Sequence, residues 1–290
     1  QTNISSNVLS MVVIAGKYTW WMNFCLYMLS LPKYEPDTMN NLQLIALKDF
    51  PLIEPGHDIS STIFDCIVNN QLMINDSDII VIAQKIISKA ENRYIDLDKI
   101  EISEEAKNLS KKLDKNEGLI QAIINESNKI LSTKKNVIVV EHKLGFINVN
   151  AGIDLSNVPS KNLVLLLPED PKKSAENIQT DLSKKLNKDI SVIITDSMTR
   201  PYRSGVINFA LASHNIQSLR DLKGHDDMYG RKLKGTEVAI ADELASAAGL
   251  LMGQSNEKKP VIIIKGFKNN TQKTNNAFDL IVSENDDLYR

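Results

Sequence analysis

Four short apolar runs constrain the fold of this chain more than any other feature. They lie at residues 78–83, 163–167, 191–195 and 261–265, and the first is an aspartate followed only by Ile, Val and Ala. A strand with one face in water alternates polar and apolar residues, whereas a strand covered on both faces is apolar throughout. The runs therefore predict a buried sheet with other layers packed against it.

Segments with helical spacing separate these runs. Apolar residues recur every three or four positions in 59–68 and again in 236–252. Strands that alternate with helices indicate an α/β class, or a sandwich of mixed α+β sheets. The other predicted helices are 103–113, 119–131 and 174–186, and the other predicted strands are 42–47, 136–140, 146–149 and 205–211.

The first 40 residues differ in composition from the rest. Lys17 is the only charged side chain in residues 1–32, and residues 8–31 are largely apolar. A run of this length can span a membrane, but Lys17 and Asn23 interrupt it and no basic segment precedes it, as one would in a signal peptide. We expect an extension outside the fold at 1–40, with a membrane anchor as the alternative, and one domain at 41–290.

Composition excludes several classes of function. The net charge is −2 and the isoelectric point about 6.2, so no overall basic field would recruit nucleic acid. Cys25 and Cys66 are the only cysteines and have no metal-ligand spacing, which fits a reducing cytoplasm. The sequence has neither G-x-x-x-x-G-K-[ST] nor G-x-G-x-x-G, so any nucleotide site must use another design.

Two aspartates stand where predicted strands end. Asp154 closes the segment 148–154, Asp196 follows the run 191–195, and Ser, Thr or Asn residues lie beside both. Open α/β sheets bind ligands at the carboxyl ends of their strands, and such oxygen ligands are those that Mg²⁺ and Mn²⁺ prefer. The pair predicts a metal site beside a phosphate. Either aspartate alone is better explained as the start of a turn or a helix cap.

Basic residues accompany both predicted strand ends. Lys85 and Lys89 follow the first apolar run and are four residues apart, so a helix would put both on one face to hold phosphate oxygens. Two solvated surface lysines explain the spacing equally well. Arg200 and Arg203 follow Asp196 and would stabilise charge during phosphoryl or acyl transfer. The alternative is a structural ion pair between Arg200 and Asp196.

Taken together, five motifs resemble one known family. They are the strand with Gln-Lys-Ile-Ile-Ser-Lys-Ala-Glu at 78–93, Asn-Ala-Gly-Ile-Asp with Ser-Asn at 150–157, Asp-Ser with Arg-Pro at 196–201, and the segments 219–231 and 241–254. Over these motifs the chain resembles the coenzyme F420-0:L-glutamate ligases, the γ-glutamyl ligases of the CofE type. The resemblance extends from about residue 42 to the end.

The resemblance implies a fold, an activity and cofactors. The implied fold is α/β with mixed α+β sheets, a deep cleft and two intertwined subdomains. The implied reaction is GTP-dependent: GTP phosphorylates the lactyl carboxylate of coenzyme F420-0, the amine of L-glutamate displaces phosphate from this acyl phosphate, and further glutamates join through γ-linkages. Two sites for Mg²⁺ or Mn²⁺, assistance by K⁺ and a homodimer are also implied.

Site residues follow from the same resemblance. Asp154 and Asp196 correspond to ligands of one metal, and Ser197 and Gln254 to contacts of a second. Arg200 and Arg203 suit an anionic intermediate or a glutamate carboxylate. The implied nucleotide contacts are Phe50, Pro51, Leu52, Ile53, Gln84, Lys85, Lys89, Asn157, Met252, Gly253, Gln254, Ser255, Asn256, Glu257, Lys258 and Lys259.

The sequence departs from the family pattern at a few places. Thr199 stands where Gly is common, which changes the turn expected after Asp196, and Phe50 stands where Leu is usual. Residues 1–40 have no counterpart in the family, and we expect no fused reductase-like domain after Arg290.

Two rival functions use the same residues. A metal-dependent phosphohydrolase would need the same aspartates, lysines and arginines, with water in place of the amine. A non-catalytic binding or membrane-associated protein would rest on the apolar amino-terminal run alone. The hydrolase would split GTP without glutamate or acceptor, and the binding protein would tolerate charge-neutral changes at Asp154 and Asp196.

Overall fold

The computed structural model describes residues 41–269 and 273–289. The extension predicted at 1–40 lies outside the described residues. From Leu42 onward the chain forms one unit of mixed α and β structure, which confirms the predicted fold class. Within the described ranges, no helix has both the length and the apolar character that a membrane crossing needs.

Twelve strands and six α-helices alternate along the described chain. The strands are β1 (Gln43–Ala46), β2 (Ile79–Ala83), β3 (Tyr94–Asp96), β4 (Ser127–Lys134), β5 (Val137–His142), β6 (Ile147–Val149), β7 (Leu163–Leu165), β8 (Ser191–Arg200), β9 (Arg203–His214), β10 (Leu219–Asp221), β11 (Glu237–Ala239) and β12 (Val261–Lys265). The helices are α1 (Ile59–Asn69), α2 (Gln84–Ala90), α3 (Glu104–Leu113), α4 (Glu117–Asn125), α5 (Pro171–Leu186) and α6 (Ile240–Met252).

A five-stranded sheet in the order β1–β12–β2–β8–β9 contains three of the four apolar runs. The pair β2–β8 is parallel and the other pairs are antiparallel. Helices α1, α2 and α5 pack on one face of the sheet and share one hydrophobic cluster with it. Helix α6 packs on the other face over a second cluster. Because both faces are covered, β2, β8 and β12 have apolar residues pointing in both directions.

A second group of elements surrounds a third hydrophobic cluster. Strands β4, β5 and β6 form an antiparallel sheet, and β3 pairs with β7, which is the fourth apolar run. Helices α3 and α4 cover this cluster with apolar residues such as Leu113 and Ile120. Each helix begins at a side-chain cap: Ser103 accepts from the amide of Ala106, and Asn116 accepts from that of Leu119.

Several predicted elements were wrong in extent, and three of them share one cause. The helix predicted at 119–131 ends at Asn125, because residues from Ser127 onward pair with β5 as a hairpin. The helix predicted at 236–252 begins only at Ile240, since β11 pairs with β10 before it. The strand predicted to stop before Asp196 continues to Arg200, because β9 pairs with it along its whole length. In each case pairing with a neighbouring strand overrides the local pattern.

Candidate active site

The parallel pair β2–β8 creates the edge at which the predicted residues meet. Ala83 and Thr195 are the last paired residues of these strands. Gln84 then begins α2, while Asp196 continues along β8 with no β2 residue beside it. The edge of β8 is therefore open from Asp196 onward, at the carboxyl end of a parallel pair, where α/β sheets bind ligands.

Asp154 reaches this edge from the second group of elements. Its backbone is fixed by two hydrogen bonds to Leu165, one in each direction, at 2.9 and 3.0 Å. Its carboxylate accepts a hydrogen bond from Nε2 of Gln84 at 2.8 Å and lies 3.1 Å from Nζ of Lys85. Asp154 thus follows a turn and does not end a strand as predicted, but its side chain still lies beside Gln84 and Lys85 at the end of β2.

Both aspartates are harder to ionise than usual. Burial, together with the nearby charge of Asp154, raises the pKa of Asp196 to about 7, against opposing contributions from the Ser197 amide, Lys85 and Gln84. Burial also raises the pKa of Asp154, although Lys85 and Gln84 lower it. Two carboxyl groups that resist ionisation beside each other form a site that a cation would stabilise.

Helix α2 holds the polar side chains that face this pair. Ser88 donates to Oε1 of Gln84 at 2.7 Å, which orients the amide so that its NH₂ group points to Asp154. Lys89 is half-buried on the same face as Lys85, and its pKa is lowered by burial and by the charge of Lys85. The two lysines therefore share one face of α2, as their spacing predicted, and the charge of each lowers the pKa of Asp154.

The donor set fits a divalent cation that also binds a substrate. Among the described residues, no group of three or more His, Cys, Asp or Glu side chains could enclose a metal. Mg²⁺, however, commonly uses one or two carboxylates and takes its other ligands from phosphates and water. Asp154 and Asp196 supply hard anionic oxygens of this kind.

A second polar group lies on the opposite face of β8. Successive side chains of a strand alternate, so Ser197 faces α6 while Asp196 faces α2. Asn208 pairs directly with Ser197 across β8–β9, and its Oδ1 accepts from Nε2 of Gln254 at 2.7 Å. That hydrogen bond directs the carbonyl oxygen of Gln254 away from Asn208. Ser197 and Gln254 thus share Asn208 as a neighbour.

The chain matches a protein-family model described as F420-0:Gamma-glutamyl ligase over residues 48–266. The chain belongs to this family. The family consists of ligases, and the conclusion agrees with the motifs that the sequence analysis singled out.

Named relatives from archaea are similar over most of their length. Coenzyme F420:L-glutamate ligase of Methanocaldococcus jannaschii is 44% identical over 220 residues, which are 76% of this chain and 87% of the relative. The protein of the same name from Methanothermobacter thermautotrophicus is 41% identical over 226 residues, 78% and 89% of the two chains. That from Methanococcus maripaludis is 42% identical over 253 residues, 86% and 97%.

Two family motif residues, Arg200 and Arg203, lie farther from the carboxylate pair than expected. They face each other at the tip of the β8–β9 hairpin, and four residues of extended strand place Arg200 about 13 Å from Asp196. The sequence put them beside Asp196 only because the strand was expected to end there. The Nε atom of Arg200 is buried and has no hydrogen-bond partner among the described residues. This observation does not support the alternative of an Arg200–Asp196 ion pair.

A cavity of about 720 Å³ lies beside this hairpin and not at the carboxylate pair. Its wall includes Met198 and Arg200 from β8 and the aromatic rings of Phe146 and Phe209, whose centroids are 5.3 Å apart. Met198 and Asp196 point to the same face of β8, so the cavity begins one side-chain position beyond the aspartate. The wall is mainly apolar.

Of the nucleotide contacts that the family resemblance implies, some are buried side chains and others are exposed. The side chains of Phe50 and Ile53 are buried in the hydrophobic core, so in this segment only the backbone and the exposed residues Pro51 and Leu52 can face a ligand. Asn157 is exposed three residues after Asp154. The loop residues that follow α6 are exposed from Gln254 to Lys259, and there Glu257 accepts a hydrogen bond from the Ser255 amide.

Sequence reasoning missed two residues that organise the site. Ser88 is one helical turn after Gln84, and this spacing was a usable signal. Asn208 lies on a strand whose register with β8 no local pattern reveals, so its contact with Gln254 could not be foreseen.

Proposed function

We propose that the protein ligates L-glutamate to coenzyme F420-0 at the expense of GTP and then adds further glutamates through γ-linkages. The proposal is supported by family membership and by the names of the relatives. The observation that carries it is the convergence of Asp154, Asp196, Gln84 and Lys85 at the open edge of β8. Anionic metal ligands and phosphate-binding cations meet there in one place, as transfer of a phosphoryl group requires.

The cation sites are assigned to specific residues. Asp154 and Asp196 would hold one Mg²⁺ or Mn²⁺, and Ser197 with Gln254 would contact a second. When bound, these ions would neutralise and orient the phosphates. K⁺ and the preference for GTP over ATP belong to the same proposal, although no described residue marks the K⁺ site or reads the base. Comparing rates with GTP and ATP, with and without KCl, tests both.

The protein's own groups would divide the remaining tasks. Lys85 and Lys89 bind phosphate oxygens of the nucleotide, and Gln84 holds the Asp154 carboxylate in place. A carboxylate oxygen of the acceptor attacks the γ-phosphorus and GDP leaves. The amine of glutamate then attacks the acyl carbon of the acyl phosphate, releasing inorganic phosphate and forming the amide. Arg200, with its unpartnered buried Nε, is suited to an anionic group of the acceptor at the cavity wall.

The test combines purified protein, GTP, Mn²⁺, L-glutamate and coenzyme F420-0, with products identified by mass spectrometry. Ligation predicts a mass gain of one or more glutamyl units and one GDP for each unit. GDP without a glutamylated product would instead identify a phosphohydrolase. Omitting glutamate and acceptor should abolish most GDP release from a ligase and leave that of a hydrolase unchanged.

We also propose a homodimer that forms through the β8–β9 hairpin. β9 is an edge strand of the central sheet, and an open edge is a template for pairing with another chain. The exposed fraction of Tyr202 at the hairpin tip is 94%, and that of Val206 on β9 is 48%. Light scattering after gel filtration should give twice the monomer mass, and Val206→Lys should shift it to the monomer. A monomeric wild type would contradict the proposal.

A further inference from the structure

The turn that precedes Asp154 has an unusual backbone. Asn150, Ala151 and Gly152 all have positive φ, at 51°, 55° and 65°. Left-handed conformations crowd the Cβ atom of an L-residue, so glycine tolerates them, asparagine less readily, and alanine only at a cost in free energy. Ala151 is nevertheless fully buried in this conformation. Surrounding contacts must hold the turn.

Lys115 makes such a contact. Its Nζ donates to Oδ1 of Asn150 at 2.9 Å and to the carbonyl oxygen of Asn136, in the tight turn between β4 and β5, at 2.8 Å. The side chain is half-buried, and burial lowers the pKa of Lys115. The ammonium group is thus partly removed from water and bonded to two neutral oxygens, an arrangement that costs free energy unless it stabilises the turn.

The path from this contact to Asp154 is short. The carbonyl of Asn150 accepts from the amide of Ile153 at 3.1 Å, and the next amide, that of Asp154, donates to Leu165. On the far side, a Cβ atom at Gly152 would lie 3.0 Å from Leu167, so the turn has little room to rearrange. A change at Asn150 would therefore move the chain that carries the Asp154 carboxylate.

We propose that Lys115 is a positioning residue for Asp154. It holds the left-handed turn at Asn150 and so sets where the Asp154 carboxylate stands relative to Gln84 and Lys85. The consequence for metal binding rests on the proposed function, in which Asp154 is a metal ligand. The consequence for the conformation of the turn is independent of that function.

Four variants of the full chain separate this role from a general structural one. Lys115→Met removes the donors and keeps the aliphatic chain, and Lys115→Arg keeps donors. Lys135→Met removes a neighbouring exposed lysine whose ion pair, at 3.5 Å, is with Asp114. Ala151→Gly, added to Lys115→Met, relieves the backbone cost of the turn and makes the contact of Lys115 dispensable.

Two readouts are used: the Kd of Mn²⁺ by electron paramagnetic resonance, and hydrogen exchange of the peptide that contains Asp154. For Lys115→Met we expect a Kd about tenfold higher and faster exchange at Asp154. For Lys115→Arg and Lys135→Met, the Kd of Mn²⁺ should stay within about twofold of the wild-type value. The added Ala151→Gly should restore the affinity, a rescue that a merely structural role would not produce.

The outcomes distinguish this inference from the proposed function. Wild-type exchange and wild-type Mn²⁺ affinity in Lys115→Met would overturn the role of Lys115. If Asp154→Asn binds Mn²⁺ as tightly as wild type, the metal assignment fails, and the exchange rates alone then decide the claim. Faster exchange in Lys115→Met would still support it, and unchanged exchange would refute it.

Discussion

At the scale of single residues, the site depends on two carboxyl groups that are unfavourable together. Asp154 accepts a hydrogen bond from the amide of Gln84, and burial makes the charged forms of both Asp154 and Asp196 unfavourable. A cation between them removes this cost, and an uncharged amide in place of either carboxylate removes the attraction for the cation.

We therefore predict that Asp154→Asn and Asp196→Asn each lower kcat/KM for glutamate ligation by at least about a hundredfold, the upper end for residues that only support metal ligands. Steady-state assays with saturating Mn²⁺ measure the effect. Asp181→Asn, on the exposed face of α5, is the matched control and should retain full activity. Near-normal activity in either site variant would refute the metal assignment.

How much of the site could be predicted depends on the kind of contact. Asp196, Gln84 and Lys85 were identifiable because each directly follows an apolar run, and that position is encoded locally. Asp154 follows a turn, and only the motif at 150–157 marks it. The contact of Lys115 with Asn150 joins positions 35 residues apart, and that of Asn208 with Gln254 spans 46. Such pairs depend on register and packing, which a single sequence does not display.

At the scale of elements, α2 presents its two lysines on one face. Burial and the charge of Lys85 lower the pKa of Lys89, so a phosphate would relieve the repulsion between the two ammonium groups. We predict that Lys89→Ala raises the KM for GTP about tenfold, as expected for a lost charge-assisted contact worth about 1.4 kcal/mol, with a smaller change in kcat. Lys184→Ala, on the exposed face of α5, is the control. An unchanged KM would mean that Lys89 is an ordinary surface lysine.

In helix α6, replacing Gly249 by alanine should destabilise the protein, whereas this substitution usually stabilises a helix. Ala for Gly within a helix normally stabilises by up to about 1 kcal/mol, but a Cβ at Gly249 would lie 2.7 Å from the Asn208 side chain. We predict that Gly249→Ala lowers the melting temperature by about 3–6 °C, the result of about 1–2 kcal/mol of overpacking.

Gly235→Ala is the matched control for this effect. A Cβ there meets nothing within 4 Å and the φ angle is not positive, so differential scanning calorimetry should find no loss of stability. A Gly249→Ala protein as stable as wild type would show that Asn208 moves aside freely.

The elements also show where local patterns fail. Strand β12 was predicted with its observed bounds, because its apolar run is buried on both faces and needs no other information. The helix at 119–131 was predicted too long, since residues 127–131 fit a helical pattern but pair with β5. Strand β8 was predicted too short, because its last five residues are held by β9 and not by burial.

At the scale of the whole molecule, one buried histidine links stability to pH. His142 lies between Phe146, on which it stacks, and Glu126, whose Oε2 is 3.8 Å from its Nε2. Burial, with the charges of Lys143 and Arg93, lowers the pKa of His142 from 6.5 to about 4. Its neutral form is therefore favoured in the fold, and protonation favours the unfolded chain below pH 6.5.

We predict that the stability due to neutral His142 is complete above pH 6.5 and is lost as the pH falls towards 4. Between pH 7.5 and 4.5 the free energy of unfolding should fall about 2 to 3 kcal/mol more in wild type than in His142→Asn. Urea denaturation at the two pH values measures this difference, and Asn Oδ1 can accept the Leu144 amide as Nδ1 does. Equal losses of unfolding free energy in the wild type and in His142→Asn would contradict this role of His142.

The central claim is that Asp154 and Asp196 together form the metal centre of a ligase. Anomalous diffraction from crystals grown with Mn²⁺ and GDP tests it most directly. The account predicts a peak between the two carboxylates, about 2.1 Å from an oxygen of each, as for a small divalent cation, with the β-phosphate of GDP on its open side. Mn²⁺ bound only elsewhere, with Asp154 still held by Gln84 and Lys85 alone, would contradict it.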